Sequence, residues 1–275
     1  AGAWIDPYSR RHDATPLMLA ALRGHEDVVR FLLSAGAGSP KRYNAEWRSN
    51  ALHYAAKGGH VGVVAILLDA GFHRTQLNEA GWIPAEVSVA ARHASSPTVT
   101  RHLLGEDSDR GGELVHHYVN MAVADVATVH GLVQGGAYLN WQDKERGHTP
   151  LHRAAFFGHL TILRILLRGG ANPDIFDNLG IVPLHMAAVS GCTATVAVLL
   201  EAGADTRART HDRYTPLHLA VVFDRVDVVK LLLFASGSST DLLDMYHGIT
   251  PLAWAARLPL TRVLRVLLGA GANVD

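Results

Sequence analysis

One six-residue pattern returns along the chain at nearly constant spacing. Thr15-Pro16-Leu17-Met18-Leu19-Ala20 recurs as Asn50-Ala51-Leu52-His53-Tyr54-Ala55 and as Thr149-Pro150-Leu151-His152-Arg153-Ala154. Val182-Pro183-Leu184-His185, Thr215-Pro216-Leu217-His218 and Thr250-Pro251-Leu252-Ala253 continue it. A weaker copy begins at Ile83-Pro84-Ala85-Glu86, and another begins near Leu114. Thr15 and Thr250 are 235 residues apart over seven steps, about 33.6 per step. A chain with such a period folds as stacked units, because no single unit of that size can bury both its faces.

The residues of each unit state its local structure. Thr is a good helix N-cap, and Pro just after it gives up an N–H that has no partner inside the helix. Gly24-His25, Gly59-His60 and Gly158-His159 close a short first helix and turn the chain back. Second helices follow as Val28–Leu33, Val63–Leu68 and Ile162–Leu167, with apolar residues at helical spacing. Each ends on a glycine, at Gly36, Gly71, Gly170, Gly203 and Gly271. In motif and period the chain resembles the ankyrin-repeat family over essentially its whole length, with about eight repeats. The resemblance implies an all-α solenoid in which each repeat is a β-turn finger followed by two antiparallel helices.

The pattern breaks in the middle. The third repeat has Glu86 where the motif has His, and its second helix begins late at Ser96-Pro97. A polar stretch over 106–113 follows, and the next first helix, expected over 114–122, has lost the Thr-Pro-Leu-His motif. Repeats 1–3 are therefore expected over 1–105 and repeats 4–8 over 114–275. The preferred reading is one continuous solenoid with a worn fourth repeat; the alternative is a hinge over 106–112, open to early proteolysis. Trp4-Ile5-Asp6 begins inside a finger and Gly271–Asp275 stops where another would start, so a longer parent protein is expected.

Composition narrows the functional classes. Lys+Arg and Asp+Glu both number 25, so the net charge is zero, against a dedicated nucleic-acid binder. The longest apolar cluster, Leu231-Leu232-Leu233-Phe234, is far short of a membrane span of about 18 residues, so no membrane insertion is expected. A single cysteine, Cys192, argues for a reducing compartment, cytoplasmic or nuclear.

Seventeen histidines raise the question of metal. The resemblance assigns His53, His152, His185 and His218 to bridging backbone groups of neighbouring loops, and His25, His60 and His159 lie at interhelical turns. His148 and His152 need not share a face, and the adjacent His116 and His117 point different ways. Cys192 lacks a free base, since His185 already has a structural place. No catalytic residue, cofactor or metal is expected.

In this family variable residues on the fingers and near the end of the first helix form a concave groove that holds partners. Carried over to this sequence, those positions turn apolar from the fifth repeat onward. They are Phe156, Phe157, Val189, Val222, Phe223 and Leu258 on the helices, and Leu179, Ile181, Tyr214, Met245, Tyr246 and Ile249 on the fingers. Trp47 and Trp82 hold finger positions in earlier repeats. Arg153, Lys144, Glu145, Arg146, Arg207, Arg209 and Arg213 flank the apolar set. The expected function is a non-enzymatic scaffold that binds a protein or extended peptide, as a monomer or as part of a larger chain. Two alternatives stand beside it: an architectural segment whose apolar ridge is covered by another domain, and a small-molecule or enzymatic site around Phe156, Phe157, Tyr214 and Phe223.

Overall fold

A computed structural model describes residues 14–38, 48–91, 96–105, 109–120, 125–236 and 248–274. Among them are sixteen helices and no strand. The chain divides into two compact units, Ala1–Gly111 with Ala127–Ala137, and Gly112–Val126 with Tyr138–Asp275.

The first unit contains α1 (Pro16–Arg23), α2 (Glu26–Ser34), α3 (Ala51–Gly58), α4 (Val61–Asp69), α5 (Pro84–Ala91) and α6 (Ser96–Leu104). First helices pack on first helices, α1 on α3 and α3 on α5, and second helices on second helices, α2 on α4 and α4 on α6. The Thr15 hydroxyl accepts from Met18 N–H, and Asn50 caps Leu52 and His53. Ala55 and Ala56 are fully buried, so small side chains let neighbouring first helices approach closely.

Two helices cross the division in sequence, α7 (Asp109–Asn120) and α8 (Val126–Gln134). α7 starts at Asp109, ahead of the expected Leu114, and takes in Gly111 and Gly112. Both glycines are buried, and an added Cβ at Gly111 would lie 3.0 Å from Ala137, while one at Gly112 would collide with Trp141 and the Tyr138 carbonyl. The glycine pair thus permits close approach inside a helix. Residues 106–108 lie outside the described residues.

The second unit is the more regular. It holds α9 (Pro150–Phe157), α10 (Leu160–Arg168), α11 (Pro183–Ser190), α12 (Thr193–Glu201), α13 (Pro216–Val222), α14 (Val226–Ser236), α15 (Pro251–Arg257) and α16 (Thr261–Gly269). α9, α11, α13 and α15 stack in order, as do α10, α12, α14 and α16. Leu151, Leu163, Leu166, Leu184 and Leu199 are fully buried between the layers.

Fingers are tied to each other and to the helices by polar contacts. Asn178 N–H donates to Arg146 O at 2.9 Å, and His211 N–H donates to Leu179 O at 2.9 Å. Three motif histidines, His53, His152 and His185, each bond at both ring nitrogens. In His152, Nδ1 accepts from Thr149 N–H at 3.0 Å while Nε2 donates to Ile181 O at 2.9 Å. His185 repeats this with Val182 N–H and Tyr214 O, and His53 with Asn50 N–H and Trp82 O. These bonds fix where each finger stands relative to the preceding first helix, and so where the finger side chains point.

Candidate functional site

The repeat places equivalent residues at fixed steps along the stacked first helices of the second unit. Phe156, Val189 and Val222 are 33 residues apart, near the C-terminal ends of α9, α11 and α13. Phe157 and Phe223 follow two of them. All three phenylalanines are well exposed, at 44, 45 and 46%, and finger residue Leu179 reaches 62%. These are not core residues. Ile181, Val189, Tyr214, Val222, Ile249 and Leu258 are half-buried. Met245, Tyr246 and Trp47 lie outside the described residues.

Two of the exposed rings pack on neighbours. Phe156 and Phe157 meet edge to face at 5.3 Å, and Phe157 stacks on His159 at 5.6 Å. Tyr214 contacts His218 and lies 6.2 Å from Trp254, over whose ring Arg257 sits at 5.2 Å. Trp254 was missed in the sequence because it occupies a motif position rather than a turn. Ile249 lines a hollow of about 710 Å3 with Leu252, Leu264 and Leu268. The finger cations Lys144, Arg146, Arg207, Arg209 and Arg213 are exposed, whereas Arg153 is half-buried with Nη2 3.8 Å from Asp143. Exposed aromatics also occur elsewhere: Phe176 on a finger, Phe31 on α2 and Phe234 on α14, the last at 89%.

Beside Arg153 the structure assembles polar groups that the sequence scatters. His148 Nε2 lies 3.1 Å from Asp177 Oδ2, while Leu179 and Ile181 N–H donate to Asp177 Oδ1. Asp143 Oδ1 accepts from Glu145 and Arg146 N–H, and its Oδ2 lies 3.4 Å from His116 Nε2 and 4.0 Å from His148 Nδ1. Burial pushes the His116 pKa down to about 4, and Asp143 opposes this only in part. For Asp143 burial pushes upward, but Arg146 N–H, His116, His148 and Arg153 together hold the carboxyl below its ordinary value. Burial likewise pushes Asp177 upward, and the His148 bond with the two backbone donors outweighs it. A hint was available: an Asp stands five or six residues before the N-cap in both fingers.

His148 and His152 do stack, at 5.5 Å, but both nitrogens of His152 are committed to backbone groups. Among the described residues no group of three or more His, Cys, Asp or Glu could hold a metal ion. Cys192 is a half-buried free thiol preceding α12, and the two ring nitrogens of His185 are bonded to Val182 N–H and Tyr214 O. No helix of the described residues is long and apolar enough to cross a membrane.

A family model described as ankyrin repeats matches the chain three times, over residues 4–78, 87–210 and 205–275. The chain is also similar to parts of longer proteins. It is 49% identical over 144 residues to the palmitoyltransferase ZDHHC17 of Homo sapiens, covering 52% of this chain and 23% of that protein. It is 37% identical over 101 residues to the ADP-ribosylation factor GTPase-activating protein AGD4 of Arabidopsis thaliana, covering 35% and 12%. It is 47% identical over 49 residues to the 2-5A-dependent ribonuclease of Homo sapiens, covering 18% and 7%. The chain thus spans less than a quarter of the length of each of these relatives.

Proposed function

The chain belongs to the ankyrin-repeat family, and on that premise we propose that it is a non-catalytic module binding a protein or extended peptide on the finger and first-helix face of repeats five to eight. Ankyrin repeats are protein-interaction modules. The observation that carries the choice of face is the exposure of Phe156 and Phe157 in repeat five, Leu179 on the next finger and Phe223 in repeat seven at the position equivalent to Phe157. Large apolar side chains gathered in the open are the usual mark of an interaction surface. Burying one of them is worth roughly 1.5–3 kcal/mol, so a few suffice for a specific complex. Because Phe156 and Phe157 already pack against each other, little ordering is lost at that pair.

Rim cations on the fingers steer an acidic approach locally. Phenylalanines this open favour an exposed contact face over an enclosed small-molecule pocket. The three relatives carry names of unrelated activities, which supports reading the repeats as a shared binding element. Since the chain spans a small share of each, a further domain of the same polypeptide is a second candidate for the partner. The free Cys192 supports a cytoplasmic or nuclear setting as part of the same reading.

The test is affinity capture from the source cell's lysate, comparing the native chain with Phe156→Glu/Phe223→Glu. The variant must first keep the circular-dichroism melt, as exposed positions should. Proteins lost only with the folded variant support this face; identical sets recovered by both baits overturn it.

A further inference from the structure

The helices α2 and α16 each leave open, along one face, positions that other second helices bury. On α2, Val28 is 46% exposed and Phe31 70%. At the equivalent places Val63, Thr195 and Val228 are buried, as are Ile66 and Val198. On α16, Leu264 is half-buried where Val64, Leu163, Val196 and Val229 are fully buried. Leu268 is 48% exposed, where Leu233 is buried.

These are the two sides of one kind of contact. α2 packs on α4, and α16 packs on α14. The open positions of α2 therefore face away from α4, and on α4, α12 and α14 the same positions meet the preceding second helix. Those of α16 face away from α14, and on α4, α10, α12 and α14 they meet the following one. The hollow of about 710 Å3 lies on this side of α16, between Leu264 and Leu268 and the first-helix residues Leu252 and Ala256. Ala253, also in its lining, stands where His152 and His185 reach the carbonyl of a following finger. This face therefore offers apolar fit rather than a polar bridge. Charge distinguishes the two helices: α2 exposes Glu26, Asp27 and Arg30, whereas α16 exposes Arg262 and Arg265 and carries no acid.

We propose that a second copy of this chain stacks head to tail on the first, the open face of its α2 meeting the open face of α16. The contact repeats, between copies, the way second helices already stack within the chain. Exposed Val, Phe and Leu gathered on one helix face mark an interaction surface. A polar outer face keeps stacked repeats from associating, and the open faces of α2 and α16 carry Val28, Phe31 and Leu268 instead. In this arrangement the arginines of α16 come beside Glu26 and Asp27, whereas α16 against α16 would gather four arginines. Because the two faces are unlike, a pair of copies still has one face of each kind open. Association therefore grows with concentration instead of stopping at a dimer. The contact uses neither Phe156, Phe157 nor Phe223, so it stands apart from the face proposed for repeats five to eight.

The experiment is sedimentation velocity of the full chain over a wide range of concentration, with two variants that each spoil one face at an exposed position. The native chain should sediment as oligomers whose size rises with concentration. Phe31→Glu and Leu268→Glu should each stay monomeric where the native chain is associated, a weakening of about tenfold or more. Mixed in equal amounts they should give a heterodimer and nothing larger, because each supplies the face that the other lacks. Phe156→Glu/Phe223→Glu should associate like the native chain. If a variant loses the native circular-dichroism melt, Phe31→Ser or Leu268→Ser replaces it. The proposal is overturned if the native chain is monomeric throughout, which leaves the two faces to a partner of another kind. It is equally overturned if only one of the two variants abolishes association, because like faces then pair, or if the mixture forms no dimer.

Discussion

His152 reaches from the first turn of its helix to the carbonyl of Ile181, 29 residues further on, at 2.9 Å. Its other nitrogen accepts from Thr149 N–H at 3.0 Å. One imidazole therefore satisfies two buried backbone groups in consecutive repeats. His152→Leu fills similar space but leaves both groups unpaired, at about 1–3 kcal/mol each. Urea unfolding should show a loss of about 2–6 kcal/mol on that basis. A midpoint within error of the native chain would contradict this role.

The same placement makes stability depend on pH. Burial holds the pKa of His53, His116, His152 and His185 near 4, against an ordinary 6.5. Between those values the unfolded chain binds more protons than the folded one, so acid favours unfolding. Stability is complete above about pH 6.5 and falls as pH drops toward 4, by up to about 1.4 kcal/mol per unit for each histidine. Asp143 and Asp177, held below their ordinary value, extend the loss below that window. Urea midpoints at pH 7.5, 6 and 5 should fall in that order. A flat or rising series would count against neutral buried imidazoles.

In the seventh repeat Asp224 occupies the turn position that Gly158 and Gly191 hold in the fifth and sixth. All three are left-handed, with φ of 52°, 72° and 81°. A side chain is strained there, and a carboxylate next to the C-terminal end of α13 opposes the helix dipole. Asp224→Gly should raise stability by about 0.5–1 kcal/mol in urea unfolding. A neutral or negative change would show that Asp224 makes a compensating contact.

Most of the fold was legible because each repeat carries its own punctuation. Thr149 and Thr215 cap as a hydroxyl before proline should, and Gly158 and Gly191 end their helices in the left-handed conformation. The sequence alone starts α7 late, because Gly111-Gly112 is a breaker in isolation; only the neighbours at Ala137, Tyr138 and Trp141 show why side chains are excluded there. The candidate face was legible position by position, since the repeat transfers each location from one unit to the next. How far Phe156 and Leu179 stand open was not, because exposure depends on what neighbouring repeats supply. The His116–Asp143 and His148–Asp177 pairs were invisible, because folding alone brings residues of different repeats together.

Photocrosslinking tests the central claim most directly. p-Benzoylphenylalanine replaces Phe223 in one variant, keeping an aromatic ring on the proposed face. In a second it replaces Phe234, which is more exposed but lies on the second helix α14. Irradiation in lysate should give a discrete protein adduct from position 223 and none from position 234. An adduct from 234 with none from 223 would place the partner on the opposite helix layer and contradict the account.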